Sequence, residues 1–213
     1  SGKWATPLAI IYLMYPPLIY MNLYEFHPVA LASSFLIFMM YFYKMERFRE
    51  FLILMILALL CQENISLVII AFAIYSFIDG KRNRWVWVPL ATGACYFILV
   101  ILFLMPRLNN NTIQFLQLYA RFGDSPAHIA SNIVTHPFQT LAVMTSPDKI
   151  TFLNALFGPL GYLSILNPAT LIPALPILLQ RLLSDRLSET RIIFHYQAEF
   201  IPFIFLAAII GIR

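Results

Sequence analysis

The sequence predicts an all-α integral membrane protein. Of its 213 residues 61% are hydrophobic and only 11% are charged, with a mean hydropathy of +0.78. A soluble domain of this size carries about a quarter charged residues. The apolar residues fall into helix-length runs separated by Pro, Gly and basic clusters. The expected architecture is about seven transmembrane or half-membrane helices, with short amphipathic helices on the outer surface. One transmembrane helical domain, residues 1–213, holds them all, with an outer-surface insertion at about 107–146. The net charge of +4 suits loops against lipid headgroups, and no basic patch interleaved with exposed aromatics points to nucleic acid. Cys61 and Cys95 both lie in apolar runs, so neither a disulfide framework nor a paired-cysteine metal site is expected. The chain enters an apolar segment three residues after Ser1, without signal-peptide features, and reads as a piece of a longer protein.

Trp4 to Tyr15 is a short apolar helix stopped by Pro16-Pro17, with a continuation past the kink to Tyr24. Polar residues Glu25-Phe26-His27 then precede Pro28, which suits the first turn of a helix running to Tyr43. Next comes the most informative stretch, Phe51 to Ile78, an apolar run interrupted by Gln62, Glu63 and Asn64. Basic loops flank it, KMERFRE (Lys44 to Glu50) and DGKRNR (Asp79 to Arg84). If Lys and Arg collect on the cytoplasmic side, both loops belong there and the run must enter and return. The arms Phe51 to Cys61 and Ile65 to Ile78 reach about 16 and 21 Å at helical rise, short of a hydrocarbon core of about 30 Å. The polar tip then lies at membrane depth or at the floor of an outward-facing cavity. The alternative is one tilted helix, with Glu63 bonded to a neighbour and the loops on opposite sides.

Trp85 to Met105 is a clear span, with Trp85 and Trp87 as interfacial anchors. Arg107 to Ser146 is more polar and reads as outer-surface structure. It holds an Asn-rich turn at Asn109 to Asn111, an amphipathic piece Phe115 to Phe122, and a helix capped by Ser125-Pro126 and broken at His136-Pro137. Phe115, Leu116, Leu118, Ile129, Ile133 and Val134 are its apolar contacts. The triplet Asn110-Asn111-Thr112 is too common to use. Ser146-Pro147-Asp148 opens a helix through Leu166, flexed at Gly158-Pro159 and Gly161, before an inner turn at Asn167-Pro168. Ala169 to Leu183 returns outward, kinked at Pro173 and Pro176. Ser184 to His195 is an outer loop, and Tyr196 to Ile212 descends to Arg213. This order puts Lys3, the two basic loops and Arg213 inside. Arg107, Arg121, Lys149, Arg181, Arg186 and Arg191 fall outside.

The outer polar groups suggest a lipid-phosphate site. Glu25, His27, Glu63, Arg186, Arg191, His195 and Tyr196 are the candidate binding residues. Arg grips phosphate bidentately, and a nearby carboxylate orients a hydroxyl or takes its proton. Simpler roles stand beside these. Glu25 and His27 suit capping at Pro28, Glu63 suits an interhelical hydrogen bond, and the arginines suit lipid headgroups. His128 and His136 read as surface residues. Glu25-x-His27 lacks a third metal ligand, so no cofactor is expected and a divalent metal is unsupported.

The stretch FHPVALASSFLIFMMYFYKMERFREFLILMILALLCQENISLVIIAFAIYSFIDGKRNRW resembles the core of the prokaryotic membrane-protein family domain-of-unknown-function 2079. FGDSPAHI, THPFQTL, LFGPLGYLSILNPATLIPALPILLQRLLSD and FHYQAEFIPFIFLAAIIG continue the likeness from about Tyr15 onward. That resemblance implies a GT-C-like fold, multi-pass in the prokaryotic cell membrane, with an outer cavity for a polyprenyl-phosphate-linked sugar. In such enzymes the hairpin turn often carries a basic residue, where this chain has Gln62 and Glu63. Their catalytic acid sits in a first outer loop that matches no position here, so no catalytic residue is assigned. The expected partners are membrane lipids, a lipid-linked sugar and other membrane-protein subunits. The competing expectation is a non-catalytic structural or lipid-binding subunit of a larger membrane complex.

Overall fold

The computed structural model describes residues 4–108 and 114–212, and these form helices and turns without a β-strand. Lys3, Arg213, the Asn-rich turn at 109–111 and the triplet at 110–112 lie outside the described residues, as does the side chain of Phe115. Helices α1 (Ala5–Leu13) and α2 (Pro16–Leu23) meet at the expected proline kink. Four antiparallel helices follow, α3 (Pro28–Lys44), α4 (Phe48–Leu59), α5 (Ile65–Ile78) and α6 (Arg84–Leu108).

The chain does reverse at residues 60–64. Phe51 near the start of α4 packs against Phe72 midway along α5, ring centroids 5.3 Å apart. In an unbroken helix these residues would stand about 32 Å apart. Tyr43 and Trp85 close an aromatic cluster around that pair. The two basic loops share one end of the bundle. Lys44 donates to both oxygens of Asp79 at 2.9 Å, and Lys81 pairs with Glu46. α6 approaches α5 closely because residue 93 is glycine. A Cβ there would lie 2.9 Å from Ile70 Cγ1 and 3.0 Å from Ser66 O.

Only α6, among the described residues, is long and apolar enough to cross a membrane, and just 12% of its apolar window is buried. Pro28–Lys44, Ile65–Ile78, Pro168–Leu183 and Ile201–Gly211 are shorter apolar helices. Of the roughly seven transmembrane or half-membrane helices expected, one thus has full spanning length and the other apolar helices are shorter. Two breaks account for much of the difference. The helix expected from Pro147 to Leu166 ends at Phe157 in α9, after α7 (Pro126–Thr135) and α8 (Pro137–Met144). Gly161 and Tyr162 then take φ of 57° and 58°, which reverses the chain where a flexed helix was expected. After α10 (Pro168–Leu183), the helix expected from Tyr196 begins only at Ile201, as α11 (Ile201–Gly211). Residues 196–200 form a turn, and Pro202 suits the first turn of the helix behind it.

The insertion keeps its expected helices. Ser125 Oγ caps α7 by accepting from His128 N at 3.3 Å. Ile129 is buried and Leu116, Leu118 and Ile133 are partly so, but Val134 is exposed. His128 and His136 lie on the surface, His128 paired with Asp124 at 2.8 Å.

Candidate functional site

At the end of the bundle opposite the basic loops, the tip of the α4–α5 hairpin faces a cavity of about 320 Å³. Gln62 and Asn64 line it from the tip, and Phe97 and Ile101 from α6, where the helix loosens to π geometry over Ile98–Leu104. π-Helical turns tend to accompany functional sites. The opposite wall is Gln180 and Arg181 at the end of α10, then Arg186, Glu189 and Tyr196. A 3-10 helix, Gln114–Phe122, closes over it with Leu118 and Tyr119. Arg121 pairs with Asp185, and Asp185 N donates to Leu118 O at 2.8 Å, so this cover is fastened to the α10 loop. Burial and the nearby Glu189 charge push the Tyr119 phenol up to about 12, so it meets the cavity as a neutral hydroxyl.

Behind the wall lies a buried ionic cluster. Arg181 is 5% exposed, Glu189 2% and Glu199 0%. Arg181 Nη1 stands 3.1 Å from Glu189 Oε1, and Nη2 stands 3.4 Å from Glu199 Oε1. The guanidinium also lies 5.1 Å from the centroid of the Tyr196 ring, a cation–π contact. Lys149, buried at the start of α9, donates from Nζ to Arg181 O at 2.9 Å and Ser184 O at 2.8 Å. It thereby satisfies carbonyls that the end of α10 leaves open.

Of the expected site residues, the fold brings together His27, His195, Tyr196 and Arg186. The His27 and His195 rings stack with centroids 3.8 Å apart, and His195 lies 4.4 Å from the Tyr196 ring. Tyr24 and Phe194 complete the aromatic group. Glu63 is half-buried at the hairpin tip and within electrostatic reach of Glu199. Glu25 is exposed, and only its backbone carbonyl contacts the group, accepting from His27 Nδ1 at 2.9 Å. Neither Glu25 nor His27 caps α3 through its side chain. Arg191 stands apart, exposed beside a shallow groove with Thr151, Phe152 and Ala155.

The site residues missed from sequence include Arg181, Glu189 and Glu199 of the ionic cluster and Tyr119 and Gln180 of the cavity wall. Glu199 had a signal, since it sits at the head of an apolar run much as Glu63 interrupts one. Glu189 had none, because SDRLSETR looks like an ordinary solvated loop.

Desolvation, then the positive neighbours His27 and Arg181, push the His195 imidazole down to about 4. It is therefore neutral at pH 7. An unfolded chain protonates this ring near pH 6.5 and the folded one only near 4, so its contribution to stability is lost as pH falls across that window. Histidine-selective NMR in detergent is expected to show a midpoint near 4. Replacing His27 with alanine should raise the midpoint by removing a positive neighbour, and a wild-type value near 6.5 contradicts the burial of the ring.

A helical bundle whose longest apolar helix is largely uncovered, and which buries ions at one end, has the character of a helical membrane protein. The chain belongs to the family described as "Predicted membrane protein (DUF2079)", whose model matches residues 1–213. No curated protein and no solved structure matches it.

Proposed function

We propose that the chain is the membrane-embedded part of a GT-C-like glycosyltransferase, taking a polyprenyl-phosphate-linked sugar at the outer face of a prokaryotic cell membrane. The observation that carries this reading is the two-sided cavity at the hairpin tip. One wall presents the Arg186 guanidinium, the Gln180 amide and the Arg181–Glu189 ion pair. The other, Phe97 and Ile101, runs onto a stretch of α6 where Ile98, Leu99, Phe103 and Leu104 are exposed. A lipid phosphate needs this pairing, with apolar surface for the chain and a guanidinium for the head. Arg186 would hold the phosphate beside the Tyr196 ring, with His195 and His27 stacked behind that ring and Glu63 orienting the tip. The shared end of the basic loops supports placing the cavity on the outer side. Transfer would be an inverting displacement in which an acceptor hydroxyl bonds to the anomeric carbon as the bond to the carrier phosphate breaks, its proton passing to a carboxylate outside the residues matched here and the leaving phosphate stabilised by Arg186.

Binding of undecaprenyl phosphate in nanodiscs tests the phosphate site. Arg186→Ala is expected to weaken it about tenfold, the loss of one charge-assisted hydrogen bond. Arg191→Ala, on the separate groove, should change it little. Equal effects of the two variants would remove the cavity as the phosphate site.

A second reading is a lipid-binding subunit of a larger membrane complex. It draws on the uncovered apolar side chains Val134, Phe138 and Leu141 of α7 and α8. A stoichiometric membrane partner, with no transfer from polyprenyl-linked sugars, would favour it.

A further inference from the structure

The cavity wall carries two buried polar atoms that meet no partner among the described residues, Arg181 Nε and Glu189 Oε2. Both residues line the cavity, and both are otherwise fixed by their mutual ion pair. Buried polar atoms are nearly always satisfied, so an unpartnered donor and acceptor on two residues of one wall invite a ligand group, which a shift of either side chain toward the cavity would admit. The chemistry of that group follows from what each atom requires. A phosphate only accepts, which suits Arg181 but is repelled by Glu189. An ammonium only donates, which suits Glu189 but is repelled by Arg181. A hydroxyl both donates and accepts, and two neighbouring hydroxyls on one ring serve both atoms.

We infer that Arg181 and Glu189 form a hydroxyl-binding subsite, Glu189 Oε2 accepting from one hydroxyl of a neutral polyol and Arg181 Nε donating to the same or the next. Glu199 is a positioning residue. It does not line the cavity, and it holds the second Nη of Arg181. Tyr196 beneath the guanidinium fixes its plane from another side. The amides of Gln62, Asn64 and Gln180 offer the polyol further donors and acceptors. This rests on the lipid-phosphate reading above, with the anion at Arg186 and the uncharged head deeper in.

The test compares, in nanodiscs, the affinities of undecaprenyl phosphate and of undecaprenyl phosphate carrying one hexose. Wild-type protein is expected to prefer the hexose-bearing carrier by about tenfold. Glu189→Gln should bring that ratio close to one, while Arg186→Ala weakens both ligands and keeps the ratio. A carrier with a fully O-methylated hexose, which accepts but cannot donate, should lose the preference on wild-type protein. That arm stands even if Glu189→Gln fails to fold. A methylated sugar bound as tightly as the free one, or no hexose preference in wild type, overturns the subsite without touching the phosphate site. If phosphatidylglycerol displaces the hexose-bearing carrier and loses to it only in Glu189→Gln, the subsite stands and the carrier-sugar reading falls.

Discussion

Replacing Arg181 with methionine is expected to destabilise the folded chain by about 3–5 kcal/mol, because it strands two buried carboxylates without their cation. Glu189 and Glu199 are nearly or wholly excluded from solvent, and each places one oxygen against the guanidinium. Desolvating an ion is tolerable only while its partner is present. The triple variant Arg181→Met, Glu189→Gln, Glu199→Gln should recover most of the loss, since amides leave no charge to strand. Urea unfolding in detergent, followed for the wild type and both variants, separates these terms. If Arg181→Met alone unfolds like the wild type, the carboxylates are protonated in the folded state and the cluster is not ionic.

Phe51→Ala should cost about 2–3 kcal/mol. This is below the usual penalty for a buried aromatic, because lipid rather than water surrounds the alternative state and mainly the cavity term remains. Phe51 is fully buried and touches Tyr43, Phe72 and Trp85, so it joins α3, α4, α5 and α6 at one point. Ile53, two residues on, is exposed and its alanine variant should change stability by less than about 0.5 kcal/mol. Trp85 fluorescence reports the local loosening directly. Matching losses at Phe51 and Ile53 would mean that α4 does not pack against α5 as a hairpin.

The two experiments probe features that differed in how visible they were. The hairpin was favoured by charge and length, because Lys44 to Glu50 and Asp79 to Arg84 bracket a run too short to cross twice, while only the packing of Phe51 against Phe72 rules out one tilted helix. The helix starts at Pro28, Pro126 and Pro147 were legible, since each proline stands in the first turn, whereas Pro16, Pro137 and Pro168, read as a stop, a break and a turn, also open helices. The reversal at Gly161 and Tyr162 was not legible. A left-handed tyrosine is rare enough that local propensity argues against it, and here packing decides: the Leu163–Leu166 turn lies against α11, with Ser164 Oγ donating to Ile204 O at 2.8 Å.

The candidate site divides in the same way. His27, His195, Tyr196 and Arg186 were suggested by their residue types in outer loops, and the fold gathers them. Arg191 had the same credentials five residues from Arg186, yet it faces another groove. The sequence by itself indicated most of the helical segments and their proline breaks and favoured one end for both basic loops, because dihedral restriction, hydropathy and local charge act within a few residues. Only the tertiary structure decided that Arg181 sits between Glu189 and Glu199 beneath the hairpin tip. Burying an ion requires partners from several elements at once, and no local pattern records which elements meet.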